Sequence, residues 1–313
     1  MTGFTASTLR YRCAVACYQT ALWLGMPLVW RYFRKRALKD PEYGLALDER
    51  RGIVQPNEVD VWIHAVSLGE YRSAEPTIKH LLAAGLRLHI THLTPAGRKA
   101  STAALAKEVE AGKIQISYAP VDRISYWSRF LRTIRPKIGL AFEMEYWPGM
   151  AEAANKTGVQ LWYVNSQIPS KTFPRARRFA RALGDHPAAR GARVLAKSGR
   201  MAERFEEIGA RNIDVMGETR FDIAPPDAHL EAGETLRQQV SPRPVFAFAS
   251  VVAGEESVYG DAVAELKSNG TNPFVVWVPR APETFEKTYE YLCERGFRVA
   301  RRSSDMSDEL TAL

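Results

Sequence analysis

From Val59 to Val66 the chain is almost continuously apolar, and a small-residue turn, Ser67-Leu68-Gly69, follows it. A helical pattern then runs from Tyr71 to Ala84 and stops at Gly85. This is a buried strand feeding a helix, and the pattern recurs. Leu86–Leu93, Ile114–Ala119, Lys137–Phe142, Val159–Val164, Val194–Ala196 and Ile213–Met216 read as strands. Ser125–Ile134, Pro148–Lys156, Lys171–Leu183 and a segment ending at Ile208 read as the helices between them. Thr94-Pro95 reads as a cap followed by proline at the first helical position. Short apolar strands alternating with helices predict a parallel sheet covered on both faces, hence an α/β fold.

The alternation breaks between Ile223 and Pro244, where four prolines and mixed charge predict an interdomain linker with a short helix. A second series starts at Val245, with strands at Val245–Ser250, Phe274–Val278 and Phe297–Ala300. Its helices are expected at Glu255–Lys267 and Glu283–Glu294. Ordinary domains hold about 100–150 residues, so residues 245–313 are expected to form a partial domain.

Cys13–Trp30 carries no charge, and only Gln19 and Thr20 in it are plainly polar. About 18 apolar residues is the lower limit for a membrane span, and Gly25 and Pro27 weaken a straight helix. Arg10 and Arg12 precede the run; Arg31, Arg34, Lys35 and Arg36 follow it. Basic flanks with Trp23, Trp30 and Tyr32 near one end suit an interfacial helix or short anchor. A buried helix packed on the first domain fits the same residues. A cleavable signal peptide fits poorly, because basic residues follow the run and no small-residue cleavage site is evident.

The 313 residues carry a net charge of +8, which favours polyanionic partners without choosing among them. Three cysteines with no C-x-x-C pair argue against a disulfide framework and for a reducing compartment.

Glu70 has two readings. Ser67-x-x-Glu70 is the pattern of a capping box, in which each residue bonds the other's backbone. A carboxylate where a helix starts after a strand is also placed to take a proton from a hydroxyl nucleophile. Gly69 lets a ligand approach the backbone there. Glu143 and Glu145 follow the strand 137–142, and two carboxylates at i and i+2 straight after a strand end are costly unless solvated, paired or used. Tyr146 and Trp147 are a candidate apolar platform, and a solvated turn is the alternative. Lys171, Arg175, Arg177, Arg178 and Arg181 make one helix strongly basic, either as a solvated face or as a surface for phosphate or anionic lipid. No nucleic-acid module motif accompanies it. His64, His89 and His92 lack metal-ligand spacing and read as packed, hydrogen-bonded residues.

Taken together, His64-Ala-Val-Ser-Leu-Gly-Glu70, Leu93–Arg98, Tyr118-Ala-Pro-Val-Asp122, Glu143-x-Glu-x-Trp-Pro148, Val164-Asn165 and Gly217–Asp222 resemble the 3-deoxy-D-manno-octulosonic acid (Kdo) transferases of lipopolysaccharide synthesis. The resemblance implies a GT-B glycosyltransferase with two Rossmann-like domains. It divides the chain into a membrane-associated segment (1–47), an acceptor domain (48–222), a linker (223–244) and a partial donor domain (245–313). It implies transfer of Kdo from CMP-Kdo to the lipid A precursor lipid IVA, with inversion and without metal or other cofactor. The expected place is the cytoplasmic face of the inner membrane, with anionic lipids as partners and no nucleic acid. Glu70 maps to the family's base, and Glu143 and Glu145 to its second acidic motif. Ser67, Gly69, Trp147, Arg175 and Arg178 are expected on the acceptor side, and Ser250, Gly254, Glu256 and Arg280 on the donor side.

The sequence also departs from the family pattern. S-T-H-x-G-E-E becomes Ser250-Val-Val-Ala-Gly-Glu-Glu256, P-R-H-P-E becomes Pro279-Arg-Ala-Pro-Glu283, and G-N-L-K-F-D becomes Gly217-Glu-Thr-Arg-Phe-Asp222. Val252 and Ala281 thus stand where histidines are expected. These changes fall in or near the donor half. They keep open a non-catalytic or truncated relative that binds lipid A precursor or membrane, and a transferase with another sugar donor.

Overall fold

The computed structural model describes residues 7–302. The chain divides into two compact units at Ile223/Ala224. The first opens with helices α1 (Leu9–Leu24) and α2 (Met26–Ala37). Strands β1 (Val61–His64), β2 (Leu88–His92), β3 (Ile114–Tyr118), β4 (Ile138–Phe142), β5 (Gln160–Ser166), β6 (Arg193–Ala196) and β7 (Ile213–Val215) form one parallel sheet. Between them run α3 (Leu68–Ala83), α4 (Pro95–Ala104), α5 (Ala106–Glu110), α6 (Ile124–Ile134), α7 (Pro148–Thr157), α8 (Phe173–Leu183) and α9 (Gly199–Glu207).

The strand order is β3-β2-β1-β4-β5-β6-β7. The connection direction reverses between β1 and β4, so their carboxyl ends open the crevice where ligands bind in doubly wound sheets. Glu70 follows β1, and Glu143 and Glu145 follow β4. Every residue of β1 and β2 is buried, as expected for strands covered on both faces. One face packs Trp127, Phe130, Met150 and Phe205 from α6, α7 and α9; the other packs Tyr71, Ala74 and Ile78 from α3. Gly139 lies beside Trp62 across the β1–β4 ladder, and a Cβ there would come within 2.5 Å of the indole. Glycine at that position lets the largest core side chain lie flat on the sheet.

The apolar N-terminal run is two helices bent by 57° at Gly25, and no single helix in it is long and apolar enough to cross a membrane. Tyr11, Val15, Met26 and Phe33 are buried against the unit, whereas Leu9, Trp23, Leu24 and Leu28 are exposed.

The second unit holds α10 (Asp227–Val240), β8 (Val245–Val251), α11 (Glu256–Ser268), β9 (Phe274–Pro279) and α12 (Phe285–Glu294). β8 and β9 pair in parallel, and Phe248 packs on Tyr259 and Trp277. Two expectations are corrected. Phe297–Ala300 is not a strand: Phe297 turns back so that its amide bonds Leu292 O at 3.1 Å, and its ring lies under Lys267. The helix in the segment read as a linker spans 14 residues, because the prolines fall outside its body and Pro226 stands at its N-cap.

Candidate functional site

The turn after β1 forms both arms of a capping box. The Ser67 amide donates to Glu70 Oε2 at 2.9 Å, and the Glu70 amide to Ser67 Oγ at 3.4 Å. Gly69 is exposed, and a Cβ there would meet nothing closer than 3.8 Å, so the backbone at this helix start is open to a ligand. α4 packs close behind it: a Cβ on Gly97 would lie 3.1 Å from the Ser67 carbonyl carbon.

Glu145 faces Glu70 across the switch point, and the two carboxyl groups hydrogen-bond each other. Burial, followed by the charge of Glu70, pushes Glu145 up to about 8. Burial also raises Glu70, against the pull of the backbone amides. The pair therefore shares a proton at neutral pH, since two adjacent, poorly solvated carboxylates repel. The Trp147 indole N–H faces Glu145 and acts against that rise. The Trp147 ring meets His64 edge to face, with centroids 5.0 Å apart, and lies against Trp127.

Glu143 has a different setting. Its φ is 63°, a left-handed conformation that costs a non-glycine residue roughly 1–2 kcal/mol. The turn places its carboxylate in a cluster of cations and donors. Ser73 Oγ donates at 2.8 Å and Arg220 Nη2 at 2.7 Å, with Lys197 Nζ at 3.8 Å. Arg220 Nε also bonds Ser73 Oγ at 2.8 Å, so one guanidinium bridges α3 and the turn after β4. Lys197 reaches Glu218 at 2.8 Å, and Asn165 bonds Glu218 and the Thr219 amide. Burial works against the charge of Glu218, but bonds from Lys197 and Asn165 hold its carboxyl below its ordinary value. The Gly217–Asp222 segment is thereby tied to the site through Glu218, Thr219 and Arg220.

Ser67, Gly69, Glu70, Glu143, Glu145 and Trp147 thus meet at the ends of β1 and β4. Arg175 and Arg178 do not; they are exposed on α8, which packs beside α1 through Thr8 and Leu183. Ser250, Gly254, Glu256 and Arg280 lie in the second unit, around the end of β8 and the start of α11. There Ser250 has φ 67°, Glu256 bonds the Gly254 amide at 2.6 Å, and the Arg280 amide bonds Val251 O. Ser73, Lys197 and Arg220 were not singled out from sequence. The one signal for them was the G-E-T-R-F-D segment, where an arginine falls at the usual lysine. The histidines are packed as expected: His64 bonds Thr91, His89 bonds Ser117, and His92 bonds Ala65 and Ser101. Burial lowers all three well below 6.5, so they are neutral. Among the described residues, no three His, Cys, Asp or Glu side chains converge as a metal-ligand set. Two open cavities of about 580 and 740 Å³ lie along α6, and neither is lined by the three glutamates.

Residues 46–223 match the family described as 3-deoxy-D-manno-octulosonic-acid transferase (kdotransferase). The 3-deoxy-D-manno-octulosonic acid transferase of Bordetella pertussis is 31% identical over 287 residues, 89% of this chain and 67% of that protein. The enzyme of the same name from Haemophilus influenzae is 24% identical, over 92% of this chain and 68% of its own length. This chain therefore spans about two thirds of these relatives. In fold it is similar to a glycosyltransferase from Rickettsia africae, with a TM-score of 0.51, 14% identity, and coverage of 77% of this chain and 66% of that one. A UDP-GlcNAc 2-epimerase from Neisseria meningitidis gives the same score and identity over 75% of this chain and 69% of its own. The architecture is α/β of the GT-B type, and by the match over residues 46–223 and the Bordetella relative the chain belongs to the Kdo transferase family.

Proposed function

We propose that this chain transfers Kdo from CMP-Kdo to lipid IVA, with inversion at the anomeric carbon and without a metal ion. The observation that carries the reading is the hydrogen-bonded pair Glu70–Glu145 at the switch point of the sheet. Glu70 accepts the proton of the acceptor hydroxyl as its oxygen attacks the anomeric carbon. The bond from that carbon to the phosphate oxygen breaks, and CMP leaves with the bonding electrons. Glu145, holding its proton, keeps a second negative charge out of the path of the anionic donor. Arg220 and Lys197 supply positive charge nearby for the donor's carboxylate or phosphate. The exposed apolar side chains of α1 and α2, with Arg175 and Arg178 on the neighbouring α8, support contact with the cytoplasmic face of the inner membrane, where the lipid acceptor resides. Replacing Glu70 by Gln preserves the cap's shape but removes the base. Transfer from CMP-Kdo to lipid IVA should fall by about 10²–10⁴-fold, and unchanged transfer would refute the assignment.

A second reading, binding of the acceptor without transfer, is favoured by one feature of the second unit. Val252 stands at an expected histidine, and Glu255 and Glu256 are occupied with the amides of their own loop. Titration with CMP separates the two readings: saturable binding supports the enzyme, and its absence supports the binding protein.

A further inference from the structure

The Tyr118–Asp122 motif ends in a carboxylate that the mechanism above does not use. Asp122 is buried, and its two oxygens accept the amides of Gly149 at 2.9 Å and Met150 at 2.8 Å. It therefore caps the first turn of α7. The approach is so close that a Cβ on Gly149 would sit 2.3 Å from Asp122 O. From the other side, α1 grips the same residue. Tyr18 donates its hydroxyl to Asp122 Oδ2 at 3.0 Å. Gln19 donates to Asp122 O at 2.8 Å and accepts the Ile124 amide at 2.9 Å, replacing a backbone ladder with one side chain.

The first turn of α7 is continuous with the acidic turn. Trp147 stands two residues before Gly149, wedged on His64 and Trp127, with its indole N–H directed to Glu145. A rigid series of contacts thus runs from α1 through Asp122 to the start of α7, then through Trp147 to the carboxyl that shares a proton with Glu70.

We propose that Asp122, docked by Tyr18 and Gln19, is a positioning residue that sets Trp147 and thereby fixes the Glu145 carboxyl against Glu70. The N-terminal helix is then part of the site's architecture as well as a surface element. The inference rests on the proposed role of the Glu70–Glu145 pair.

The test uses the full chain with CMP-Kdo and lipid IVA, and the variants Asp122→Asn, Trp147→Phe and their combination. Each single variant should lower kcat by about tenfold with little change in the KM for CMP-Kdo. The double variant should fall no further than the worse single one, because both act on the same contact. A purely structural role predicts independent losses that multiply to about a hundredfold, and that result would overturn the proposal. Should Asp122→Asn fail to fold, Tyr18→Phe and Gln19→Ala take its place. Each should lower kcat in the parent chain but not in the Trp147→Phe background, and equal losses in both would overturn it. Fluorescence gives an arm independent of turnover. The difference between the chain and Trp147→Phe should show a step as Glu145 titrates. That step should move in Asp122→Asn or its substitutes, and an unmoved step would sink the proposal even if transfer were absent. Intact transfer in Glu70→Gln, by contrast, would refute the functional reading while leaving the fluorescence result to decide the positioning role.

Discussion

Replacing Glu145 by Gln should make the fold less sensitive to alkali. In the unfolded chain this carboxyl ionises near its ordinary 4.5, whereas in the fold it keeps its proton up to about 8. Between those values the folded state binds more protons than the unfolded one, so stability is fully present at low pH and declines as pH rises through the window. At about 1.4 kcal/mol for each tenfold change in proton affinity, the ceiling is about 5 kcal/mol. Both carboxyl groups are partly reached by solvent, which reduces the expected effect to about 2–3 kcal/mol. Glutamine has nearly the same shape, donates an N–H to Glu70 in place of the shared proton, and does not titrate.

The assay is denaturant unfolding of both proteins from pH 5 to pH 9, followed by tryptophan fluorescence. Six of the seven tryptophans lie in the first unit, so the signal reports mainly that unit. The two midpoints should lie close together at pH 5 and diverge as pH rises, with the variant the more stable at pH 9 and the slopes unchanged. Titrating groups other than Glu70, which shares its proton with Glu145, cancel in the difference. Parallel curves across the whole range would refute the claim that Glu145 is buried as an acid. In transfer assays the same variant should lose an alkaline limb centred near pH 8.

Gly149→Ala should be among the most damaging small substitutions, costing about 3 kcal/mol or more in the denaturation midpoint, because its methyl would strike the Asp122 carbonyl, which Gln19 holds in place. Arg220→Ala strips a buried carboxylate of its closest cation and should destabilise by about 1–3 kcal/mol by the same measurement. Arg220→Lys should recover only part of that, since an ammonium lacks the fork that reaches Ser73 and Glu143 together. Arg175→Gln with Arg178→Gln should weaken sedimentation with anionic vesicles by about thirtyfold at low ionic strength, at about 1 kcal/mol per charge. Added salt should shrink the difference.

Much of the first unit was legible because its strands are buried on both faces, which leaves uninterrupted apolar runs such as Val61-Trp-Ile63 and Ile138–Phe142. The capping box at Ser67 and the Thr94-Pro95 start were also readable, since each depends on neighbours within four residues. The cluster around Glu143 was not. Ser73, Lys197 and Arg220 come from α3, the turn after β6 and the segment beyond β7, and no local pattern records their convergence. The left-handed turn at Glu143 was hidden for the same reason: it is compensated by partners more than 50 residues away in sequence. The missing third strand at Phe297–Ala300 shows the converse. The alternating tetrad Phe297-Arg-Val-Ala300 satisfies a strand pattern, but an aromatic one turn past a helix end is equally well placed to fold back on that helix.

The two readings of Glu70 do not compete. A carboxylate offers about four lone-pair positions, and the cap observed here uses one oxygen, Oε2, for the Ser67 amide. Glu145 occupies a second direction, and the exposed edge at Gly69 leaves a path to the rest. The cap fixes the carboxylate's orientation, and burial raises its basicity above that of a free glutamate, against the pull of the bonds from Ser67 and Glu145. The ligand need not displace the cap to reach a base. If it had to, the energy of the helix start would be lost at each turnover, and weakening that start with Ser67→Ala would speed the reaction. With cap and base using different lone pairs, Ser67→Ala should instead slow transfer: it keeps the amide that holds Oε2 but removes the hydroxyl that accepts the Glu70 amide, and so loosens the turn that aims the carboxylate.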